Sequence, residues 1–156
     1  MTLTVAPGTH GRGRLAPWVR LVREPSAVPQ LQAIHSAADV LRAVRPVLDQ
    51  EEVESFLLIA LNTQHAIAGM TVLTRGLVNS SLVHPREVFR FAIALGATGV
   101  IVAHNHPSGQ PAPSADDRVV TRQLVEAGRL LDIPVYDHVI TGLDGRHFSF
   151  AEAGLL

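Results

Sequence analysis

The sequence predicts an α/β (α+β) fold in which one domain contains a mixed, mainly antiparallel β-sheet packed by helices. The length of 156 residues and the 47% of apolar residues suit one globular domain with a buried core. Segments with helical periodicity and apolar runs of strand length follow one another in the order helix, hairpin, helix, strand, helix, strand. This mixed order favours a layered arrangement of sheet and helices.

The sequence from Ser36 to Leu73 predicts a helix followed by a hairpin. Ser36 and Asp39 have the spacing of a capping box, and apolar residues then recur at helical intervals. Pro46 lies inside this pattern, so we expect the helix to stop or kink there. The apolar run from Glu54 to Leu61 and the looser alternation from His65 to Leu73 predict an antiparallel strand pair.

The second half predicts two further helices, each followed by a strand. Pro85 suits the first turn of a helix. A strand buried on both faces is expected over residues 100–103. Ser114 begins the next helix, a strand is expected over residues 134–141, and a last short strand over residues 147–150.

Residues 1–34 are predicted to form a flexible segment rich in proline, glycine and arginine, ahead of the domain at residues 35–156. Two interpretations of its four arginines stay open: a basic arm that binds nucleic acid, or a solvated tail. Four arginines would release few counterions from a nucleic acid, which favours the tail. The arginines are Arg12, Arg14, Arg20 and Arg23.

The composition excludes several kinds of active site. The chain has no cysteine, which excludes disulfides, thiolate metal sites and a cysteine nucleophile. It has no lysine either, which excludes a Schiff-base or P-loop lysine. The net charge of −1 does not indicate a general attraction to nucleic acid or membranes. Because no signal-peptide core or membrane-length apolar run is present, we expect a soluble, cytoplasmic protein.

A cluster of residues with metal-binding chemistry follows the predicted buried strand. His104 and His106 are two residues apart, so both imidazoles face the same side if extended geometry persists through them. A catalytic zinc takes three protein ligands and keeps one open position. Asp117, beyond a proline-rich loop, can be the third ligand, with Asp116 as its rival. Asp117 also lies three residues after Ser114, so it could instead be the acid of a capping box.

These residues resemble a known motif. His104-Asn-His106-Pro, six residues and then Ser114-x-x-Asp117 are similar to the JAMM pattern of JAB/MPN metalloproteins. The blocks HPREVFRFAI, AHNHPSG, PSADD and DHVITG resemble the RadC branch, from about Glu54 to the end of the chain. The resemblance implies a JAB/MPN-like, cytidine-deaminase-like layered domain. The chain before Glu54 shows no helix-hairpin-helix pattern of the kind usual in RadC-type proteins, which argues against a DNA-binding role carried over from the family.

The resemblance also implies the roles of individual residues. His104, His106 and Asp117 correspond to the ligands of Zn²⁺, with a water in the fourth position. The family has a glutamate on the first hairpin strand that acts as general base, and Glu54 is the matching position. Ser114 corresponds to the serine that hydrogen-bonds the oxygen of the tetrahedral intermediate. Its role as a helix cap would be compatible with this, although one hydroxyl has only one proton to donate.

Two points stay open beside this set. Three other glutamates are rivals for the role of base: Glu51, Glu52 and Glu87. The first two lie off the register of the strand, and the third has a neighbouring arginine, Arg86, that suggests a local ion pair. His138 lies outside the ligand pattern; it could orient a metal ligand, although a structural role is favoured.

Together these features predict a zinc-dependent hydrolase of the JAMM type, in which metal-activated water attacks a peptide or isopeptide carbonyl of a protein substrate. One alternative is a metal-dependent nuclease or DNA-repair-associated protein, supported by the arginines near the N-terminus and by the family's link with DNA repair. Another is a non-catalytic MPN scaffold. The oligomeric state and the natural substrate are not indicated by the sequence.

Overall fold

A computed structural model describes two short strands near the N-terminus and most of the remaining chain, namely residues 2–5, 19–22, 33–76 and 83–156. The chain separates into two compact units, residues 1–30 and 31–156. In the first unit, β1 (Thr2–Val5) pairs antiparallel with β2 (Val19–Val22). The remaining residues before Ala33, and the side chains of the four arginines, lie outside the described residues. The flexible segment and its contact with DNA therefore stay predictions.

The second unit is built around a five-stranded sheet with the spatial order β4-β3-β5-β6-β7. β5 and β6 run parallel, and the other neighbouring strands run antiparallel. The α/β (α+β) class and the mixed, mainly antiparallel sheet are therefore confirmed. The strands are β3 (Ser55–Leu61), β4 (Ile67–Arg75), β5 (Gly99–Asn105), β6 (Val135–Thr141) and β7 (His147–Ser149).

Three helices in the described part of the chain cover the two faces of this sheet: α1 (Ala37–Leu48), α2 (Pro85–Ala94) and α3 (Ala115–Leu131). Successive side chains of a strand point to opposite faces, so each buried strand contributes to two cores. On one face, α1 packs on Leu57, Ile59 and Ile101. On the other face, α2 and α3 pack on Leu58 and Val102. This is the layered arrangement that the JAB/MPN resemblance implied.

The start of α1 is as predicted, and its end lies beyond Pro46. The Ser36 side chain accepts a hydrogen bond from the backbone N–H of Asp39, which caps the helix. The helix does not stop at Pro46 but continues to Leu48. Proline at this position removes one hydrogen bond close to the end of the helix, where few bonds remain to be lost. Val44 and Leu48 are buried, and their packing keeps the last turn against the sheet.

α2 and α3 both begin at the predicted residues. Pro85 occupies the first position of α2, and the ring of His84 caps this helix by accepting a hydrogen bond from the backbone N–H of Arg86. Ser114 caps α3.

Across the described part of the chain, none of the helices is both long enough and apolar enough to cross a membrane.

Candidate metal centre

Two histidines from the end of β5 form the first half of the site. His104 lies in β5, and the backbone N–H of His106 continues the ladder to β6 by donating to the carbonyl of Thr141 at 3.0 Å. Extended geometry therefore persists through both histidines. Their Nε2 atoms lie 2.9 Å apart. His104 is fully buried, whereas the His106 side chain is 14% exposed, so the pair opens to solvent on one side.

Asp117 reaches the histidines from the first turn of α3. Its carboxylate oxygen Oδ2 accepts hydrogen bonds from the backbone N–H of Ser114 at 2.7 Å and from the Ser114 hydroxyl at 2.6 Å. The Ser114 hydroxyl in turn accepts from the Asp117 N–H, which completes a capping box. Asp117 Oδ1 lies 3.3 Å from His104 Nε2. Asp117 is therefore both a cap and a member of the site, whereas its neighbour Asp116 is exposed.

The donor set fits a zinc ion. One potential ligand atom from each of His104, His106 and Asp117 lies within 4.8 Å of the other two. Two imidazole nitrogens and one carboxylate oxygen are ligands that zinc accepts, and three protein ligands leave a position open. His106 Nδ1 lies 2.7 Å from the carbonyl oxygen of Gln110, which can only accept. That nitrogen therefore carries the proton, and the Nε2 of a neutral His106 offers its lone pair to the site.

The electrostatics of the site favour a cation. Burial raises the pKa of Asp117. Hydrogen bonds from His104 and His106, which require a proton on the Nε2 atoms, outweigh burial and hold that pKa far below its usual range. Asp117 is therefore a carboxylate. The contact with Asp117 raises the pKa of His106 against the opposing effect of burial. A buried negative charge thus attracts a positive one, which a proton or a metal ion can supply.

Glu54 lies at the edge of this group. It directly precedes β3, in which Phe56 pairs with His104. Continuing this antiparallel register by two residues places Glu54 opposite His106 and on the same face of the sheet. The charge of Glu54 is also one of the contributions that raise the pKa of His106, after the larger effects of Asp117 and the Gln110 carbonyl. Glu54 is not among the three grouped ligands, a placement compatible with a base beside the metal.

Asn105, between the two histidines, fastens the segment that carries Glu54. Its Oδ1 accepts from the backbone N–H of Ser55 at 2.8 Å, and its Nδ2 donates to the carbonyl of Val53 at 3.0 Å. A longer contact of 3.4 Å reaches the carbonyl of Glu51. The end of β5 therefore holds both the histidines and, through this buried amide, the approach to β3.

Two of the rival glutamates are engaged in ion pairs. Glu51 lies 2.9 Å from Arg75. Glu87 lies 3.5 Å from Arg86, as predicted, and 2.6 Å from Arg90. The charge of Glu54, by contrast, contributes to the raised pKa of His106.

Two buried residues behind the histidines were not assigned to the site from the sequence. His138 Nε2 lies 2.8 Å from His104 Nδ1, and His138 Nδ1 lies 2.6 Å from the hydroxyl of Thr121. The sequence favoured a structural role for His138 and did not single out Thr121. One signal could have found Thr121: it lies four residues after Asp117 and therefore on the same face of α3. No local spacing relates His138 to the histidines of β5.

Aromatic rings enclose this inner pair of histidines. Phe56 stacks on His104 with ring centroids 5.7 Å apart, and Phe150 stacks on His138 at 4.9 Å. All four rings are buried. Full burial and the neighbouring His104 lower the pKa of His138 well below its usual range, so that ring is neutral.

Comparison with known proteins gives a consistent family match. The family model described as the RadC-like JAB domain matches residues 34–155. A UPF0758 protein of Moorella thermoacetica is 52% identical over 103 residues, which cover 66% of this chain and 44% of the relative. A UPF0758 protein of Trichlorobacter lovleyi is 45% identical over 126 residues, covering 81% and 54%. A UPF0758 protein of Methanosarcina mazei is 42% identical over 123 residues, covering 79% and 53%. The chain spans about half the length of these curated relatives.

Proposed function

Because the chain belongs to the RadC-like JAB domain family, we propose that it is a zinc-dependent hydrolase that adds water to a peptide or isopeptide carbonyl. The observation that carries this proposal is the convergence of His104, His106 and Asp117 within 4.8 Å. The effect of the charge of Glu54 on the pKa of His106 supports it. The names of the relatives specify no substrate, so the substrate class is part of the proposal.

His104 Nε2, His106 Nε2 and Asp117 Oδ1 would hold the metal ion. Asp117 Oδ2 already accepts two hydrogen bonds from Ser114, which leaves Oδ1 as the freer oxygen. When bound, zinc supplies Lewis acidity, which lowers the pKa of water and polarises a carbonyl. The partial exposure of His106 gives this chemistry an opening to solvent and substrate.

Glu54 is the proposed general base. Its carboxylate would take one proton from the attacking water while the water oxygen bonds to the carbonyl carbon. It would then deliver that proton to the nitrogen as the C–N bond breaks, so that an acid and an amine leave the site. Direct attack by water needs no nucleophilic side chain, which suits a chain without cysteine.

Ser114 is the proposed donor to the developing oxyanion. In the structure its hydroxyl proton is directed to Asp117 Oδ2 at 2.6 Å. To serve the oxyanion, the O–H would rotate about the Cβ–Oγ bond, while the oxygen stays where it accepts from the Asp117 N–H. The backbone N–H of Ser114 would still hold Asp117 during this rotation.

The test is a cleavage screen with the zinc-loaded protein. Two substrate libraries, one of linear peptides and one of peptides joined through lysine ε-amines, are incubated with the wild type and analysed by mass spectrometry. We expect cleavage by the wild type and a loss of at least about 10²-fold in Glu54→Gln, because the amide cannot accept the proton. Zinc content should be unchanged in Glu54→Gln, because Glu54 is outside the ligand group.

Glu52→Gln is the matched control, because it makes the same chemical change at an exposed residue two positions away. It should cleave like the wild type. Full activity in Glu54→Gln would contradict the role of that residue. If the zinc-loaded wild type cleaves neither library, the peptidase and isopeptidase proposal is wrong, and a non-catalytic scaffold becomes the better interpretation.

A further inference from the structure

We propose that Thr121 and His138 are positioning residues that fix His104 in the tautomer whose Nε2 lone pair faces the metal ligands. The proposal rests on the metal site of the proposed function, but neither residue is among its ligands. It assigns a function to the buried chain of contacts that runs from the backbone of Asp117, through Thr121 and His138, to the ring of His104.

The backbone carbonyl of Asp117 determines which group donates and which accepts in each of these contacts. The Thr121 hydroxyl lies 2.6 Å from the Asp117 carbonyl oxygen and 2.6 Å from His138 Nδ1. A carbonyl oxygen can only accept, and a hydroxyl has a single proton. The hydroxyl therefore donates to Asp117, since otherwise two acceptors would face each other at that distance. Its remaining lone pairs accept from His138.

The next two steps follow from the chemistry of imidazole. His138 must donate to Thr121 through Nδ1–H, and a neutral imidazole has one N–H, so its Nε2 can only accept. His104 Nδ1, which lies 2.8 Å from that nitrogen, must therefore donate. With the proton of His104 fixed on Nδ1, its Nε2 carries the lone pair that a metal ligand needs.

His106 has the same tautomer through one direct hydrogen bond, since its Nδ1 donates to the carbonyl of Gln110 at 2.7 Å. Both ligand histidines are thus set by hydrogen bonds that end on a backbone carbonyl. Their two Nε2 atoms then converge at 2.9 Å, and two lone pairs at this separation repel unless a cation lies between them. The hydrogen-bond network therefore prepares the pair for a positive ion.

Burial restricts this chain of contacts to one donor–acceptor direction. Thr121 is 1% exposed, and His104 and His138 are fully buried, so water has little access to provide alternative partners. Reversing the donors and acceptors along this chain of contacts would leave buried polar groups without partners, which is unfavourable because water cannot replace those partners. The stacked rings of Phe56 and Phe150 also limit rotation of the two imidazoles.

The first test measures the tautomer directly in the zinc-depleted wild type. Long-range ¹H–¹⁵N correlation spectra distinguish Nδ1–H from Nε2–H histidines. Both buried rings contact Phe56, and the signals of His138 are distinguished from those of His104 by the stacking of His138 on Phe150. We expect the Nδ1–H form for both His104 and His138. A predominant Nε2–H form of His104 would overturn the proposal. This measurement needs no variant and no activity.

The second test compares Thr121→Val with Thr121→Ser. Valine keeps the branched shape but removes the hydroxyl, whereas serine keeps the hydroxyl. We expect the zinc dissociation constant, measured by competition with a chromophoric chelator, to rise about 10- to 100-fold in Thr121→Val. It should stay within about threefold of the wild type in Thr121→Ser, a margin of well under 1 kcal/mol. The unfolding temperatures of the zinc-depleted proteins identify any variant that has lost its fold.

The outcomes separate this inference from the proposed function. Unchanged zinc affinity in folded Thr121→Val would overturn the inference, and so would equal weakening in both variants, since the hydroxyl would then not matter. A wild type that binds zinc but cleaves no substrate would remove the hydrolase proposal and leave the positioning role intact. If the wild type binds no zinc, the proposed metal site is wrong. The tautomer spectra still test whether His104 carries its proton on Nδ1.

Discussion

Asp117 occupies the third position of α3, and both of its functions follow from that position. From there its carboxylate reaches back to the N–H and hydroxyl of Ser114, as a capping box requires. The same turn directs Oδ1 toward His104 at 3.3 Å. The sequence motif could identify the cap and the proposed ligand, because both depend on short spacings. Only the fold shows that the two roles are compatible.

At the residue scale, Ser114→Ala separates the cap from the chemistry. Loss of the hydroxyl should reduce the free energy of unfolding by about 1 kcal/mol, because α3 loses one capping bond. If Ser114 also donates to the oxyanion, kcat should fall by about 10²-fold, far more than the loss of a cap explains. Urea unfolding and steady-state kinetics on a substrate from the cleavage screen measure the two effects.

Ser114→Thr is the control, because it keeps the hydroxyl and should retain most of the stability and the activity. A variant Ser114→Ala with reduced stability but unchanged kcat would limit Ser114 to the role of a cap.

The residues that the sequence did not assign to the site are those connected by long-range contacts. Thr121 and His138 are 17 residues apart, and His138 and His104 are 34 apart. Their contact depends on which strand lies beside β5 and on how α3 crosses the sheet. Short spacings do not contain that information, whereas His104, His106 and Asp117 are related by one loop.

At the element scale, the end of β5 organises the site on both faces of the sheet. His104 and His106 face α2 and α3, and Asn105 between them binds the segment before β3. Alternation along an extended strand produces this division. One short element therefore positions two proposed ligands directly and the proposed base indirectly.

Asn105→Asp tests the indirect part of this arrangement. The aspartate keeps an oxygen for the N–H of Ser55 but places a second oxygen against the carbonyls of Val53 and Glu51, where the amide donated. We expect a loss of about 1–3 kcal/mol in the free energy of unfolding. We also expect kcat to fall by at least about tenfold, because a displaced Glu54 is a poor base. Zinc content should remain that of the wild type.

Asn62→Asp is the matched control for this substitution. Asn62 uses only its Oδ1, which accepts from the N–H groups of Gln64 and Ala66 in the turn of the hairpin, so an aspartate can replace it. It should leave stability and kcat nearly unchanged. Wild-type kcat in Asn105→Asp would show that the hydrogen bonds of the Asn105 amide do not position the base.

The elements themselves were largely predictable, because their signals are local. The caps at Ser36 and Ser114, the proline at the start of α2 and the apolar runs of β3 and β5 each depend on neighbouring residues. The stop expected at Pro46 is not observed, for the opposite reason. The helix continues past it because buried contacts hold its last turn, and those contacts involve strands distant in sequence.

At the scale of the whole molecule, the order of the strands determines what the site contains. The parallel pairing of β5 with β6 sets Val102 against His138, and the antiparallel pairing of β5 with β3 sets His104 against Phe56. Periodicity predicted that a mixed sheet exists but not this order, because neighbours in a sheet need not be neighbours in sequence. The candidate metal centre lies where both pairings meet the N-terminal end of α3.

The central claim is that this domain binds one metal ion through β5 and α3. The most direct measurement is the zinc content, by elemental mass spectrometry, of protein prepared without a histidine tag and equilibrated with zinc. His106→Ala removes a proposed ligand, and His35→Ala removes an exposed histidine outside the ligand group. We predict about one zinc per chain in the wild type and in His35→Ala, and loss of that zinc in His106→Ala. A wild type without zinc, or a His106→Ala variant that keeps it, would contradict the account.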